Sequence, residues 1–231
     1  MEISNLTNPV KDYSAVDLML LNPALSLDET LAYCGKARDL DLASVYVKPC
    51  YLHQVMDIFR GAEIRLGTVI GFPHGANAIQ TKVSETKYVL TEGACDLELA
   101  INVGRIVSGS FDLIQKEVDS ICGLTHMNGG VLKVILEIGF LTIEKVKTTA
   151  NFLSKTGADW LVISSDSAPN DNFLDVVQSI HEILGEAVPI KATGGISTFQ
   201  EINMLIVAGC TRVGIYETSD VLKVAGPGFD V

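Results

Sequence analysis

The segment Lys191-Ala192-Thr193-Gly194-Gly195 combines an amine with two glycines, directly after the apolar turn Val188, Pro189 and Ile190. A lysine at the mouth of a buried strand suits imine chemistry, because burial or a nearby cation lowers its pKa and frees the nucleophilic amine. Exposed Gly194 and Gly195 amides suit an anion. Together they fit a lyase acting on small sugar-like carbonyls. A simple anion clamp is the other reading of Lys191.

Further polar residues fall at the ends of apolar runs. Asp17 lies within Val-Asp-Leu-Met-Leu-Leu and reads either as a proton carrier or as a strand-edge carboxylate. Alternation places Ser44, Tyr46 and Lys48 on one face of the next run, and Pro49 stops it, leaving Lys48 at a rim as the second candidate amine. Glu98 shares a side with Ala100 and Asn102, and Lys133 shares one with Ile135 and Glu137. A buried charge needs a partner, so the sequence predicts a Glu98–Lys133–Glu137 ion cluster, structural or catalytic. Val162 and Ser164 share a face, followed by Ser165, Asp166 and Ser167, and a last apolar run ends in Tyr216, Glu217 and Thr218. Glu98 or Asp17 could move protons on a carbinolamine through a water. The four histidines (His53, His74, His126, His181) lack metal spacing, and neither a GxSxG elbow nor a P-loop is present. His74, in Gly-Phe-Pro-His-Gly, reads as a turn residue, with single-site histidine chemistry as the alternative. No metal or cofactor is expected.

These residues sit on a regular series of elements. Strands are predicted at Ala15–Leu21, Ala43–Val47, Arg65–Ile70, Asp96–Ile101, Leu132–Ile138, Trp160–Ser164, Val188–Lys191 and Thr211–Ile215. Helical spacing occupies Leu27–Leu40, Leu52–Arg60, Gln80–Glu92, Ser110–Leu124, Thr142–Thr156, Asn172–Leu184 and Ser197–Val207, with a short last helix at Asp220–Val224. Ser26, Thr142 and Ser197 read as N-caps. Eight βα units with right-handed crossovers close most simply into a (β/α)8 TIM barrel, one α/β domain over residues 1–231. A doubly wound open sheet is the alternative, but no GxGxxG follows the first strand and the units are evenly spaced.

The totals narrow the partner. Of 231 residues, 48% are hydrophobic and 19% charged, enough apolar content for a substantial core. No apolar run reaches membrane-spanning length, and the first fourteen residues lack the order of a signal peptide, so a cytoplasmic location is expected. The five cysteines (Cys34, Cys50, Cys95, Cys122, Cys210) are scattered, without a CxxC, and read as reduced thiols. A formal charge of -11 opposes nucleic acid and anionic membranes. A small carbonyl or polyol is the expected partner.

The segments VDLMLLNP, LASVYVKPCY, GTVIGFPHGAN, KVSETKYVLTEGACDLELAINVG, LKVILEIGFLT, GADWLVIS, IKATGGIST and AGCTRVG, spread from about Val16 to Gly214, resemble the deoxyribose-phosphate aldolase family. The resemblance implies class I lyase chemistry on a (β/α)8 barrel, splitting 2-deoxyribose 5-phosphate into acetaldehyde and glyceraldehyde 3-phosphate, and a homodimer. It places the family's activating lysine on Lys191, its first-strand aspartate on Asp17 and its proton-relaying aspartate on Glu98, with Lys133 and Glu137 also matching.

Three departures stand beside it. The family's imine-forming lysine falls on Val162, a glycine of its phosphate loop falls on Asp166, and its last small hydroxylated loop reads Gly-Ile-Tyr-Glu-Thr, with Tyr216 and Glu217. Lys48 stands where the family often has asparagine. A carboxylate about 4 Å from one phosphate charge costs roughly 4 kcal/mol at an effective dielectric near 20, about three decades of affinity. The expectation is therefore a divergent lyase on a non-phosphate substrate, with Lys191 as the amine, Glu98 and Asp17 moving protons, and Lys133, Glu137, Ser164, Ser165, Asp166, Gly194, Gly195, Tyr216 and Glu217 around the substrate. Its rivals are a non-imine isomerase or cyclase using Glu98 and Asp17, a ligand-binding pseudo-enzyme, and ordinary family activity with an amine from a shifted register.

Overall fold

Eight short apolar runs, each flanked by a helix, fold into one closed parallel barrel, in a computed structural model that describes residues 13–40 and 42–225. The strands are β1 Val16–Leu20, β2 Ser44–Val47, β3 Arg65–Ile70, β4 Asp96–Ala100, β5 Val131–Glu137, β6 Trp160–Ser164, β7 Ile190–Thr193 and β8 Arg212–Tyr216, in sequential order around the barrel. β8 pairs with β1, which excludes the open sheet. The helices are α1 Leu27–Arg38, α2 Leu52–Val55, α3 Ile79–Thr91, α4 Val103–Val107, α5 Phe111–Met127, α6 Ile143–Leu153, α7 Phe173–Leu184, α8 Phe199–Val207 and α9 Asp220–Ala225. The signal-peptide reading rests mostly on residues 1–12, which lie outside the described residues.

Local sequence explains the boundaries. Ser26 and Thr142 cap α1 and α6 as predicted, each side-chain oxygen accepting from the backbone three residues on. The α8 cap is Thr198 rather than Ser197, because Glu201 completes a capping box with Thr198. The helix predicted over Leu52–Arg60 is instead a single α turn between two 3-10 turns, Pro49–Tyr51 and Met56–Phe59. α4 was hidden by its five-residue length; Asn102 caps it through a bond from the Arg105 amide. β7 begins two residues later than predicted and reaches Thr193, since Pro189 has no N–H for the ladder.

Alternation sends one set of side chains outward and the other into the barrel. Outward residues such as Leu18, Val45, Leu97, Leu99, Val134, Ile163, Ala192 and Val213 merge with the helices into the main core. The inward set is unusually polar: Asp17, Ser44, Tyr46, Asp96, Glu98, Lys133, Ser164, Lys191 and Thr193 are all buried. Two interior glycines make room for it. A Cβ on Gly67 would lie 2.8 Å from the Tyr46 ring, and one on Gly214 would lie 3.0 Å from Cε of Lys191.

Candidate active site

The barrel interior holds an ion network in which every lysine has a carboxylate. Lys191 Nζ lies 2.8 Å from Asp17 and 2.7 Å from Glu98. Lys133 Nζ lies 3.2 Å from Asp17 and 3.1 Å from Asp96. Arg212 reaches Asp17 at 3.2 Å, and Arg65 reaches Asp96 at 3.6 Å. Hydroxyls complete the carboxylates: Ser44 donates to Asp17 at 2.5 Å and Tyr46 donates to Asp96 at 2.7 Å. Both lysine ammoniums also sit over the Tyr46 ring, 4.2 Å away for Lys191 and 5.2 Å for Lys133.

The electrostatics follow from that packing. Burial alone would push Asp17 up, but Lys191, Lys133 and Arg212 outweigh it and hold the carboxyl well below the usual range. Burial alone would lower Lys191, yet Asp17 and Glu98 outweigh it and raise it. Lys191 is fully buried and protonated, which runs against the expectation of a free amine. The predicted Glu98–Lys133–Glu137 cluster does not form. Ile135 lies between Lys133 and Glu137, which are two inward steps, about 13 Å, apart along the strand, and Lys133 turns to Asp17 and Asp96 instead. Glu137 accepts from the Ser164 hydroxyl at 2.8 Å and the Ser167 amide at 3.1 Å.

Above this network an apolar layer closes the barrel. Ala100, Ile135 and Val162 pack together with Phe72, and Met19, Leu21, Tyr46 and Val69 pack with Phe72 and Tyr216. Phe72 belongs to both groups and lines the cavity beyond, of about 1010 Å³, at the C-terminal ends of the strands. Asp17, Glu98, Lys133 and Lys191 lie beneath that floor, outside the cavity lining. Lys48, Ser165, Asp166, Gly194 and Gly195 line the cavity, as do Tyr216 and Glu217. Ser164 stands just below its edge, bonded to both Glu137 and Asp166.

Lys48 reaches the rim but its ammonium is committed. It donates to the backbone carbonyls of Asn22, Pro23 and Leu25 at 3.2, 3.4 and 2.6 Å, tying down the loop after β1. As second-choice amine it is thus occupied as a loop clamp.

Asp166 is the cavity's most perturbed acid. Burial pushes it up, hydrogen bonds from Thr193, Tyr216 and Ser164 oppose that, and nearby Glu137 adds to the rise, leaving it at about 6. Thr193 Oγ1 and Ser164 Oγ each donate to its Oδ2 at 3.2 Å. Burial, then Asp166 itself, raise the Tyr216 phenol. A carboxyl poised near neutral pH beside a phenol can both take and return a proton.

Sequence reasoning missed Asp96, Arg65 and Arg212 in the network, Thr193 as the partner of Asp166, and Phe72 and Asn22 in the cavity. Alternation offered a signal for two of them, since Thr193 follows Lys191 by two residues and Arg212 precedes Tyr216 by four. Among the described residues no group of three or more His, Cys, Asp or Glu could hold a metal ion. None of the described helices is long and apolar enough to cross a membrane.

No family model matches the chain. Individual relatives do. A deoxyribose-phosphate aldolase from Ureaplasma parvum is 34% identical over 212 residues, covering 90% of this chain and 95% of the relative. One from a Thermoanaerobacter species is 31% identical over 200 residues, covering 86% and 90%. A solved structure described as QR15, an aldolase, superposes with a TM-score of 0.82 at 29% identity, covering 87% of this chain and 90% of that one. A deoxyribose phosphate aldolase from Aeropyrum pernix, described as tetrameric, shares the fold at TM-score 0.82 and 24% identity. The chain belongs to the deoxyribose-phosphate aldolase family of aldolase-like enzymes.

Proposed function

We propose that the chain is a carbon–carbon lyase for a small hydroxylated carbonyl compound, running on acid–base chemistry at Asp166 rather than on an imine at the β6 position. The observation that carries this reading is the carboxyl of Asp166 at the cavity wall, raised to about 6 and hydrogen-bonded by Thr193 and Ser164. Ionised Asp166 takes the proton of the substrate's β-hydroxyl. The carbon–carbon bond then breaks, its electrons passing to the carbonyl as an enolate, and the same carboxyl returns the proton to the enolate carbon. The Gly194–Gly195 backbone and the Tyr216 hydroxyl line the same cavity, where an enolate oxygen would meet them. Asp166 and Glu217 disfavour a phosphate where the family resemblance puts one.

A second reading keeps Lys191 as the amine. Glu98 Oε2 is buried without a hydrogen-bond partner beside it, so Glu98 could accept the ammonium proton once a substrate displaced Phe72. The two readings separate in one experiment. Turnover of a panel of β-hydroxy aldehydes and ketones is followed in wild type and Asp166→Asn, then repeated with borohydride and peptide mapping. Loss of at least 100-fold in kcat without any modified lysine supports Asp166. An adduct on Lys191 supports the imine, and full activity of Asp166→Asn removes the first reading. A homodimer in the cytoplasm completes the proposal, as the family resemblance implies, whereas the Aeropyrum pernix relative is described as tetrameric; sedimentation of the purified chain tests the dimer.

A further inference from the structure

We propose that Glu217, held by Asn22, forms a cation subsite on the β1–β8 side of the cavity that takes a primary ammonium group of the substrate. This rests on the cavity being the active site, as proposed above, and adds the class of substrate.

Glu217 follows directly on β8 and is only 7% exposed. Its Oε1 accepts from Asn22 Nδ2 at 2.9 Å. Asn22 is itself fixed, since its Oδ1 accepts from the Ala24 amide at 3.0 Å. The carboxylate is therefore pinned in orientation. Its Oε2 is buried without a hydrogen-bond partner, although the residue lines the cavity. Among the described residues Glu217 has no ion pair within 4.0 Å. A buried carboxylate with a bare oxygen is costly unless something restores its bond.

The nearby candidate cation is already used. Lys48 lines the same cavity, but its ammonium is directed to three backbone carbonyls, including that of Asn22. The free group is a single oxygen, which suits one donor of a compact ammonium better than a guanidinium that pairs through both oxygens. A metal ion is a poor fit because no group of three potential protein ligands exists among the described residues. Asp166, two residues beyond β6, is bonded by Thr193 rather than by Asn22 and remains available for proton transfer.

The test uses three three-carbon probes that differ at one terminus: 3-amino-1,2-propanediol, glycerol and glycerol 3-phosphate. Binding to the full chain is measured by calorimetry, with Glu217→Gln and Glu217→Asp as variants and their melting curves as a folding check. The amine is expected to bind at least tenfold tighter than glycerol, with the phosphate weakest. Both variants are expected to lose that advantage while still binding glycerol. Equal binding of amine and glycerol, tighter binding of the phosphate, or an amine preference that survives in both folded variants overturns the subsite. Because binding is read without turnover, a selective but inactive Asp166 pathway sinks only the proposed chemistry, and an active protein without selectivity sinks only the subsite.

Discussion

Val162 on β6 and Lys191 on β7 are register partners, directly opposite each other on adjacent strands inside the barrel. The family resemblance puts an imine-forming lysine at Val162, one strand away from an ammonium that is still present. The two positions differ in character. Val162 joins an apolar floor with Ala100, Ile135 and Phe72, whereas Lys191 is gripped from below by Asp17 and Glu98. Asp17 and Glu98 outweigh burial at Lys191, which is why its pKa rises instead of falling.

That grip has a measurable consequence. Replacing Lys191 by Met removes the shared cation of Asp17 and Glu98 and leaves buried carboxylates short of a partner. Breaking one side of a buried pair typically costs about 3–5 kcal/mol. Urea denaturation of Lys191→Met at pH 7 should show a loss of that order. A loss below about 1 kcal/mol would mean that the network relaxes around Arg212 and Lys133, and that Lys191 is not its keystone.

The reverse exchange is also informative. Val162→Lys places an amine in the apolar floor, directly across from the protonated Lys191. Burial and a neighbouring cation both lower its pKa, the two conditions for a nucleophilic lysine at neutral pH. Incubation with acetaldehyde and borohydride should then modify residue 162 in the variant, while wild type yields no adduct. An unmodified variant that folds normally would show that Phe72 and Ile135 shut the new amine off from the cavity.

Much of this was readable in advance. Short apolar runs and intervening helical spacing gave all eight strands, because a closed parallel barrel buries both faces of every strand and leaves little room for ambiguity. The strand-end polar residues were also visible, and most of them do surround one cavity. Their partners were not. Alternation says that Lys133 points inward but not that it prefers Asp96 to Glu137, since that choice depends on strand stagger around the barrel. Nor could spacing show that Phe72, in a turn after β3, folds over the barrel and separates the ammonium of Lys191 from the cavity. Asp96 escaped notice for a related reason: it opens its strand and looks like a cap until Tyr46 and Lys133 close on it.

Gly214 offers a steric test of the same interior. An added Cβ would lie 3.0 Å from Lys191 Cε and 3.1 Å from Thr193 Oγ1. Neither neighbour can retreat freely, because Lys191 is held by two carboxylates and Thr193 donates to Asp166. Gly214→Ala should destabilise the fold by about 1–3 kcal/mol, the usual range for overpacking. It should also shift the pH dependence of turnover by disturbing the Thr193–Asp166 bond. An unchanged melting curve and pH profile would show that the lysine chain slides aside without consequence.

Asp166 makes the sharpest pH prediction. Its carboxyl is raised from 3.8 to about 6, so the folded state holds a proton that the unfolded chain has already released. The sign follows from linkage: the stabilisation from the protonated form is complete below about pH 3.8 and disappears as the pH climbs through 6. Above that, folded protein carries an ionised carboxyl in a poorly solvated site. Two pH units correspond to about 3 kcal/mol, an upper figure because Asp166 is only partly buried at the cavity wall. Asn cannot ionise, so Asp166→Asn should match wild type near pH 4 and be more stable by up to that amount at pH 8, while losing turnover. Urea midpoints at pH 4, 6 and 8 measure it. Equal offsets at all three values would show that this carboxyl is not held near neutrality, and the acid–base assignment would go with it.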